Sequence, residues 1–297
     1  MINDKQGILK TILLALVVGI ASFFCVAWVL GPIFSGRIIL PQSFVFAGLK
    51  IHLYGAIISL AVLSGYWLAM KRRNRYGVKK DDAESLIIIA LVVGFVGARL
   101  YHVVSEFTFY LQHPIQIFEI WKGGLSIYGA ALGGILAVYF FVKFHKKYSF
   151  LQILDWLTPS VVLGQIIGRF GNFANYELYG TPTKLFWKMF IPVQFRVPPY
   201  ELNQFFHPLF LYEIAGSLVI LVLLLRLRLK TGYLFLLWLF LYNILRFFLE
   251  QLRVESVIYG NIRVNALVSL VLVLGALYFS YKLWNSKQND QSDPHCH

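Results

Sequence analysis

Between Gly168 and Gly180 the chain reads Gly-Arg-Phe-Gly-Asn-Phe-Ala-Asn-Tyr-Glu-Leu-Tyr-Gly, closing an apolar run that begins near Trp156. Arg169, Asn172, Asn175 and Glu177 therefore arrive where a membrane helix should finish. Arg169 and Asn172 are three apart and share a face while the helix lasts. A second constellation is Tyr242, Arg246, Glu250 and Arg253, whose spacing of three and four aligns alternating charges on one helical face. The planar guanidinium fork suits phosphate, which it binds through paired, charge-assisted bonds. Ionisable groups at membrane depth are costly and point to function. The plainer readings of the same residues are an arginine snorkelling to the interface and an ion network that only holds helices together.

These groups need helices to carry them, and the composition supplies membrane helices. The 297 residues are 58% hydrophobic and 14% charged, with a net charge of +13, a polytopic membrane profile rather than a soluble one. The basic residues fall mostly between apolar runs, so the charge speaks for membrane orientation and not for nucleic acid. Cys25 and Cys296 form no disulfide framework. Apolar segments at about 8–30, 52–71, 84–104, 124–143, 151–170, 208–229, 232–252 and 263–282 are each near the ~20 residues that span a bilayer. The first run is long for a signal peptide and lacks a small-x-small cleavage site, so it reads as a retained helix.

More than half of the Lys and Arg gather in the termini and in the connections around Lys71–Lys80, Lys143–Lys147 and Arg226–Lys230. With eight spans these all fall on one side, which the positive-inside rule makes cytoplasmic, with both termini inside. His52, Tyr54, Arg99, Ser126, Tyr128, Arg169, Asn172, Tyr212, Glu213, Tyr242, Arg246, Glu250 and Arg253 then lie toward the outer face and predict one polar cavity there. Asp155, at the inner end of its helix, reads as an interfacial cap. Residues 174–207, rich in Pro and aromatics, read as an extracytoplasmic cap, and 105–123 as an interfacial arm. The chain divides into a helix and external linker (1–50), a membrane core (51–284) and a polar tail (285–297). The tail is expected to be disordered from composition. Its His295, Cys296 and His297 are too few and too loosely placed for a structural metal site, so no metal or cofactor is expected.

The Gly168–Gly180 stretch resembles the prolipoprotein diacylglyceryl transferase signature Gly-Arg-x-Gly-Asn-Phe-x-Asn-x-Glu-x-x-Gly at every fixed position. Four further elements resemble that family in the same order: His52-Leu-Tyr54-Gly, Gly123 through Tyr128 to Gly133-Gly, His207-Pro-Leu-Phe-Leu-Tyr212-Glu213, and Tyr242 through Arg246 and Glu250 to Arg253. The resemblance implies an all-α polytopic protein of about eight transmembrane helices, seven family-like and one added at the N-terminus, with a small extracytoplasmic cap. It implies transfer of diacylglycerol from phosphatidylglycerol to the lipobox cysteine of a prolipoprotein signal peptide, in the bacterial inner membrane. Tyr128, Arg169, Arg246 and Glu250 are then the expected catalytic groups. His52, Tyr54, Asn172, Asn175, Glu177, Gly180, His207, Tyr212, Glu213, Tyr242 and Arg253 are expected to hold substrate. Tyr128 stands where many members have His. Three sources of thiol activation stay open: Tyr128, a carboxylate such as Glu250, or the arginines alone. A transporter of lipids or anions would use the same arginine-lined cavity, but should show an internal repeat, and none is evident.

Overall fold

The computed structural model describes residues 5–46, 48–260 and 262–292. His295, Cys296 and His297 lie outside them. The chain opens with α1 (Lys5–Val29), a short α2 (Gly31–Phe34) and the antiparallel hairpin β1–β2 (Ser43–Phe46 and Leu49–His52), which leads directly into α3 (Leu53–Arg72). Next come α4 (Lys80–Ser105), a short α5 (Phe107–Gln112), α6 (Ile127–Phe144) and α7 (Phe150–Ala174). A two-residue ladder, β3 (Met189–Phe190) with β4 (Phe205–Phe206), precedes α8 (Leu209–Arg226) and α9 (Tyr233–Leu252). The hairpin β5–β6 (Ile258–Tyr259 and Ile262–Arg263) then leads into α10 (Val264–Ser292).

Among the described residues eight helices are long and apolar enough to cross a membrane. They coincide with the eight segments expected from hydropathy, ends shifting by a few residues. The protein is thus an all-α polytopic membrane protein whose strands, among the described residues, are confined to two short hairpins and one two-residue ladder. One expectation fails. Residues 285–292 were expected to be disordered, yet α10 continues through Ser292. Lys, Gln, Asn, Asp and Ser replace apolar residues there without a Gly or Pro to stop the helix.

The chain forms two compact units, residues 1–65 with 158–297, and residues 66–157. In the 66–157 unit α4 packs along α6. The approach is so close that a Cβ on Gly129 would collide with the Gly97 carbonyl, the small-residue packing that lets membrane helices meet backbone to backbone. Arg99 is buried on α4. Its Nε donates to the Ile117 carbonyl at 2.9 Å, and Nη1 to those of Gly123 and Gly124 at 2.8 and 2.9 Å. Its Nη2 donates to the carbonyl of Gln116. The sequence reading had placed Arg99 in the polar cavity. It instead holds the 116–124 loop, because the carbonyls of irregular backbone need donors where water is scarce.

At the start of α7, Ser149 and Gln152 cap the helix reciprocally: Gln152 Oε1 accepts the Ser149 N–H and Ser149 Oγ accepts the Gln152 N–H, both at 3.2 Å. Asp155, read above as the cap, is instead buried inside the helix. Nearby, Asp82 accepts from Tyr148 Oη at 2.7 Å and pairs with Lys147 at 2.6 Å.

In the other unit α1 lies along α8, α8 along α9, and α9 along α10. Gly19 of α1 faces Val219, where a Cβ would stand 2.5 Å from Cγ2, and Gly216 of α8 faces Leu245 in the same way. The first part of α3 packs on the last part of α7, where Gly171 leaves room for the Tyr54 ring. Much of α1 is exposed apolar surface, as on Trp28 and Val17, which suits contact with lipid tails.

Candidate functional site

The signature stretch ends α7 in a reversal. Tyr176 and Leu178 adopt left-handed backbone with φ of 55° and 58°, unfavourable for bulky residues and held only by surrounding contacts. Those contacts are present. The Tyr176 hydroxyl accepts the Leu40 N–H at 2.7 Å and its ring stacks on Phe195. Gly180 donates its N–H to the His207 carbonyl and lies so close that a Cβ would meet the His207 Cβ at 2.7 Å. Thr181 donates to the Leu252 carbonyl at 2.7 Å. The segment after α7 is thereby laced to the beginning of α8 and the end of α9.

Between the two twisted residues sits Glu177, whose Oε1 accepts from Asn172 Nδ2 at 2.8 Å. Asn172 Oδ1 in turn accepts from Arg169 Nη1 at 2.8 Å. The amide therefore relays between a carboxylate and a guanidinium, and both its atoms are used.

Glu213, on the first turns of α8, stands at the centre and is 3% exposed. Its Oε1 pairs with Arg169 Nη2 at 2.8 Å and accepts from Tyr242 Oη at 2.8 Å. Its Oε2 pairs with Arg246 Nη1 at 3.0 Å. Arg246 Nη2 continues to Glu250 Oε2 at 3.2 Å, and Arg253 Nη1 approaches the same oxygen at 3.5 Å. The i, i+4 and i, i+3 spacing on α9 delivers those last contacts. Three helices thus contribute to one continuous array in which three arginines directly contact two carboxylates, Glu213 and Glu250. Glu177 reaches Arg169 only through Asn172.

A small pocket opens on this array, lined by Arg169, Asn172, Glu213, Arg246 and Arg253 and by apolar side chains including Leu209 and Phe210. The Nε of Arg253 is buried without a hydrogen-bond partner among the described residues. A buried donor left unpaired costs stability, so such an atom beside a pocket marks a place where an acceptor is expected. Guanidiniums with one side engaged by carboxylates and another facing a pocket are arranged to receive an anion.

Of the residues singled out in the sequence, Arg169, Asn172, Glu177, Glu213, Tyr242, Arg246, Glu250 and Arg253 form this single network. His207 and Tyr212 form a second cluster with Trp187: the indole N–H donates to Tyr212 Oη at 2.7 Å, and Tyr212 Oη lies 2.9 Å from His207 Nδ1. Burial holds the His207 pKa below its ordinary value. Neutral His207 can accept the Tyr212 proton while Tyr212 accepts that of Trp187. Tyr54 packs on Gly171. His52 is exposed at the end of β2, paired with Ser43. Asn175 closes α7 through its backbone N–H, bonded to the Gly171 carbonyl. Tyr128 belongs to the 66–157 unit, with its ring 6.0 Å from that of Tyr101.

Sequence reasoning missed Ser256, Arg263 and Asn265. Glu250 Oε1 accepts from Ser256 Oγ at 2.9 Å and from Asn265 Nδ2 at 3.0 Å. Arg263 Nη1 donates to the carbonyls of Glu250 and Arg253, each at 2.9 Å, and to Ser256 Oγ at 2.6 Å. A signal was available: Arg263 is a charge opening an apolar run, as Arg169 is a charge closing one.

The family model described as prolipoprotein diacylglyceryl transferase matches residues 41–282. A phosphatidylglycerol–prolipoprotein diacylglyceryl transferase of Fervidobacterium nodosum is 35% identical over 97% of this chain and 99% of its own length. The protein of the same description from Thermotoga maritima is 38% identical over 90% of this chain and 94% of its own. One from Acaryochloris marina is 39% identical over 78% and 86%. The family match begins after α1, whereas the Fervidobacterium relative aligns over nearly the whole chain.

Proposed function

Because the chain belongs to the prolipoprotein diacylglyceryl transferase family, we propose that it moves the diacylglyceryl group of phosphatidylglycerol onto the lipobox cysteine of prolipoproteins. The observation that carries this reading is the buried Arg169–Glu213–Arg246–Glu250–Arg253 array with its pocket. No observation favours a transporter.

The reaction forms a bond between the cysteine sulfur and the glyceryl carbon that carries the phosphate ester. That carbon–oxygen bond breaks, its electron pair leaves with glycerol phosphate, and the thiol proton passes to a base. Phosphate charge rises as the ester is lost. Guanidiniums fixed around the pocket suit that change, since preorganised donors act most strongly where charge develops. Arg246 is the proposed main stabiliser, with Arg169 and Arg253 beside it. Glu213 keeps the first two in place without requiring water. Asn172 and Glu177 orient Arg169. Tyr242, held by Glu213, keeps its hydroxyl 3.5 Å from Arg169 Nη2. His52, Tyr54, Asn175, Gly180, His207 and Tyr212 are assigned to lipid and signal-peptide binding.

A free thiol has a pKa of about 8.5, so a base or a strong positive field is needed. Tyr128 is the proposed base. Glu250 is the carboxylate next in line. The one-sided Lys and Arg clusters support cytoplasmic termini, and with them an outward-facing site that meets the signal-peptide cysteine after export.

The test is incubation of the purified protein with phosphatidylglycerol vesicles and a lipobox peptide, followed by mass spectrometry. The expected product is a diacylglyceryl thioether with stoichiometric glycerol phosphate. Lipid movement between leaflets without any adduct would sink the reading. In the same assay Tyr128→Phe should lose ~10²–10⁴-fold in turnover if Tyr128 is the base, and wild-type turnover would remove it from that role.

A further inference from the structure

Glu250 is 1% exposed, and its two carboxylate oxygens face different partners. Oε2 meets the arginines of its own helix, Arg246 and Arg253. Oε1 is claimed by Ser256 and Asn265, which lie on either side of the β5–β6 hairpin. Behind them stands Arg263. A single nitrogen of its guanidinium, Nη1, reaches the Glu250 carbonyl, the Arg253 carbonyl and Ser256 Oγ. The α-helix ends at Leu252; the Glu250 carbonyl keeps one long bond from the Arg253 N–H, at 3.3 Å, and the Arg253 carbonyl lies just beyond the last turn, where intrahelical donors run out. Arg263 supplies what the helix cannot.

We propose that Arg263 is a positioning residue: acting through Ser256 and the closing turn of α9, it fixes the rotation of Glu250 and thereby aims Arg253 at the anion pocket. The proposal rests on the transferase reading for the identity of the anion. Its geometric basis is the shared chain Arg263–Ser256–Glu250–Arg253, together with the Nε of Arg253, a pocket-lining residue, which is buried without a hydrogen-bond partner among the described residues. A carboxylate free to rotate would offer both oxygens to its arginines and draw the Arg253 fork away from that pocket. With Oε1 held, only Oε2 remains for Arg246 and Arg253, and the rest of the Arg253 fork stays available to a phosphate.

The three contacts of Arg263 come from one nitrogen. An ammonium carries three donors and can replace that nitrogen, which it cannot do for a bidentate fork. The decisive set is therefore wild type, Arg263→Gln and Arg263→Lys, read by kcat, by KM for phosphatidylglycerol and by calorimetric affinity for glycerol phosphate. Arg263→Gln should lower kcat and weaken glycerol phosphate binding by about tenfold, the scale of one hydrogen bond to a charged group, while KM changes little. Arg263→Lys should restore most of both. A purely structural Arg263 would lower the unfolding temperature of Arg263→Gln and leave kcat and glycerol phosphate affinity at wild-type values, which would overturn the proposal. Should Arg263→Gln not accumulate, Ser256→Ala decides. It removes the hydroxyl that joins Arg263 to Glu250 Oε1 while Arg263 still holds the two carbonyls, and it should weaken glycerol phosphate binding in the same direction; unchanged binding overturns the proposal. The binding arm does not depend on turnover. A wild type that binds glycerol phosphate yet makes no thioether would defeat the transferase reading and leave the positioning of Arg253 measurable.

Discussion

Two arginine sites in this molecule use the same side chain for opposite ends. Arg99 gives its donors to the backbone carbonyls of Gln116, Ile117, Gly123 and Gly124. Arg169 and Arg246 give theirs to Glu213, and Arg246 also to Glu250. Carbonyls are neutral, covalently fixed and unable to change partner without moving the chain. The Arg99 site therefore locks a loop. Carboxylates sit on rotatable side chains and can be joined by a second anion at the same guanidinium. The arginine–glutamate array is therefore the arrangement suited to admitting and releasing a phosphate. What separates structural from functional arginines here is the kind of acceptor they face: neutral carbonyls for the buried Arg99, carboxylates for the half-buried Arg169 and Arg246.

Removing Glu213 should break this contrast most severely. Glu213→Ala leaves Arg169 and Arg246 charged and short of a partner, which costs about 3–5 kcal/mol for a buried pair. Detergent-purified protein should unfold at a much lower temperature and show no thioether formation. Next in size is Arg246→Lys, which keeps the charge but not the fork joining Glu213 to Glu250. Turnover should fall by roughly 10²–10³-fold, the range for one lost transition-state donor, with the protein still inserted and folded. Arg99→Gln inverts that pattern. It should cost about 1–3 kcal/mol through unsatisfied carbonyls, visible as faster proteolysis of the 106–124 region, while turnover per folded molecule stays within a few-fold of wild type. Large catalytic loss in folded Arg99→Gln would show the contrast to be mistaken.

The smallest effect concerns His207. Burial lowers its pKa in the fold, so the unfolded chain binds the proton more readily. Stability should decline as pH falls through about 6.5 and level off below the folded-state pKa. Thermal unfolding between pH 8 and pH 5 measures it, and His207→Gln should flatten the dependence.

Much of this was readable in the residues, because hydropathy reports the bilayer directly. The eight spans followed from apolar length, and Arg246, Glu250 and Arg253 followed from helical spacing. Local spacing could not reveal contacts that cross a connection. Glu250 meets Asn265 across the β5–β6 hairpin, and no periodicity links the two. Arg99 was misplaced for a related reason: depth in the membrane was legible, whereas its acceptors lie 17–25 positions further along the chain. Asp155 looked like a cap because of its position, while Ser149 and Gln152 had already filled that role. Ser-x-x-Gln was a signal in plain view.

The left-handed residues on either side of Glu177 have a consequence for how this protein can be engineered. Glycine at position 176 or 178 would adopt the same backbone without steric cost. At 176 it would also delete the hydroxyl bonded to Leu40 and the ring stacked on Phe195. At 178 it would relieve the twist while loosening the segment that carries Glu177 to Asn172. Selection for heat tolerance alone would therefore tend to favour changes at Leu178 that blunt the enzyme. Directed evolution of a hardier variant must screen thioether formation alongside melting, since at this reversal robustness and competence pull in different directions.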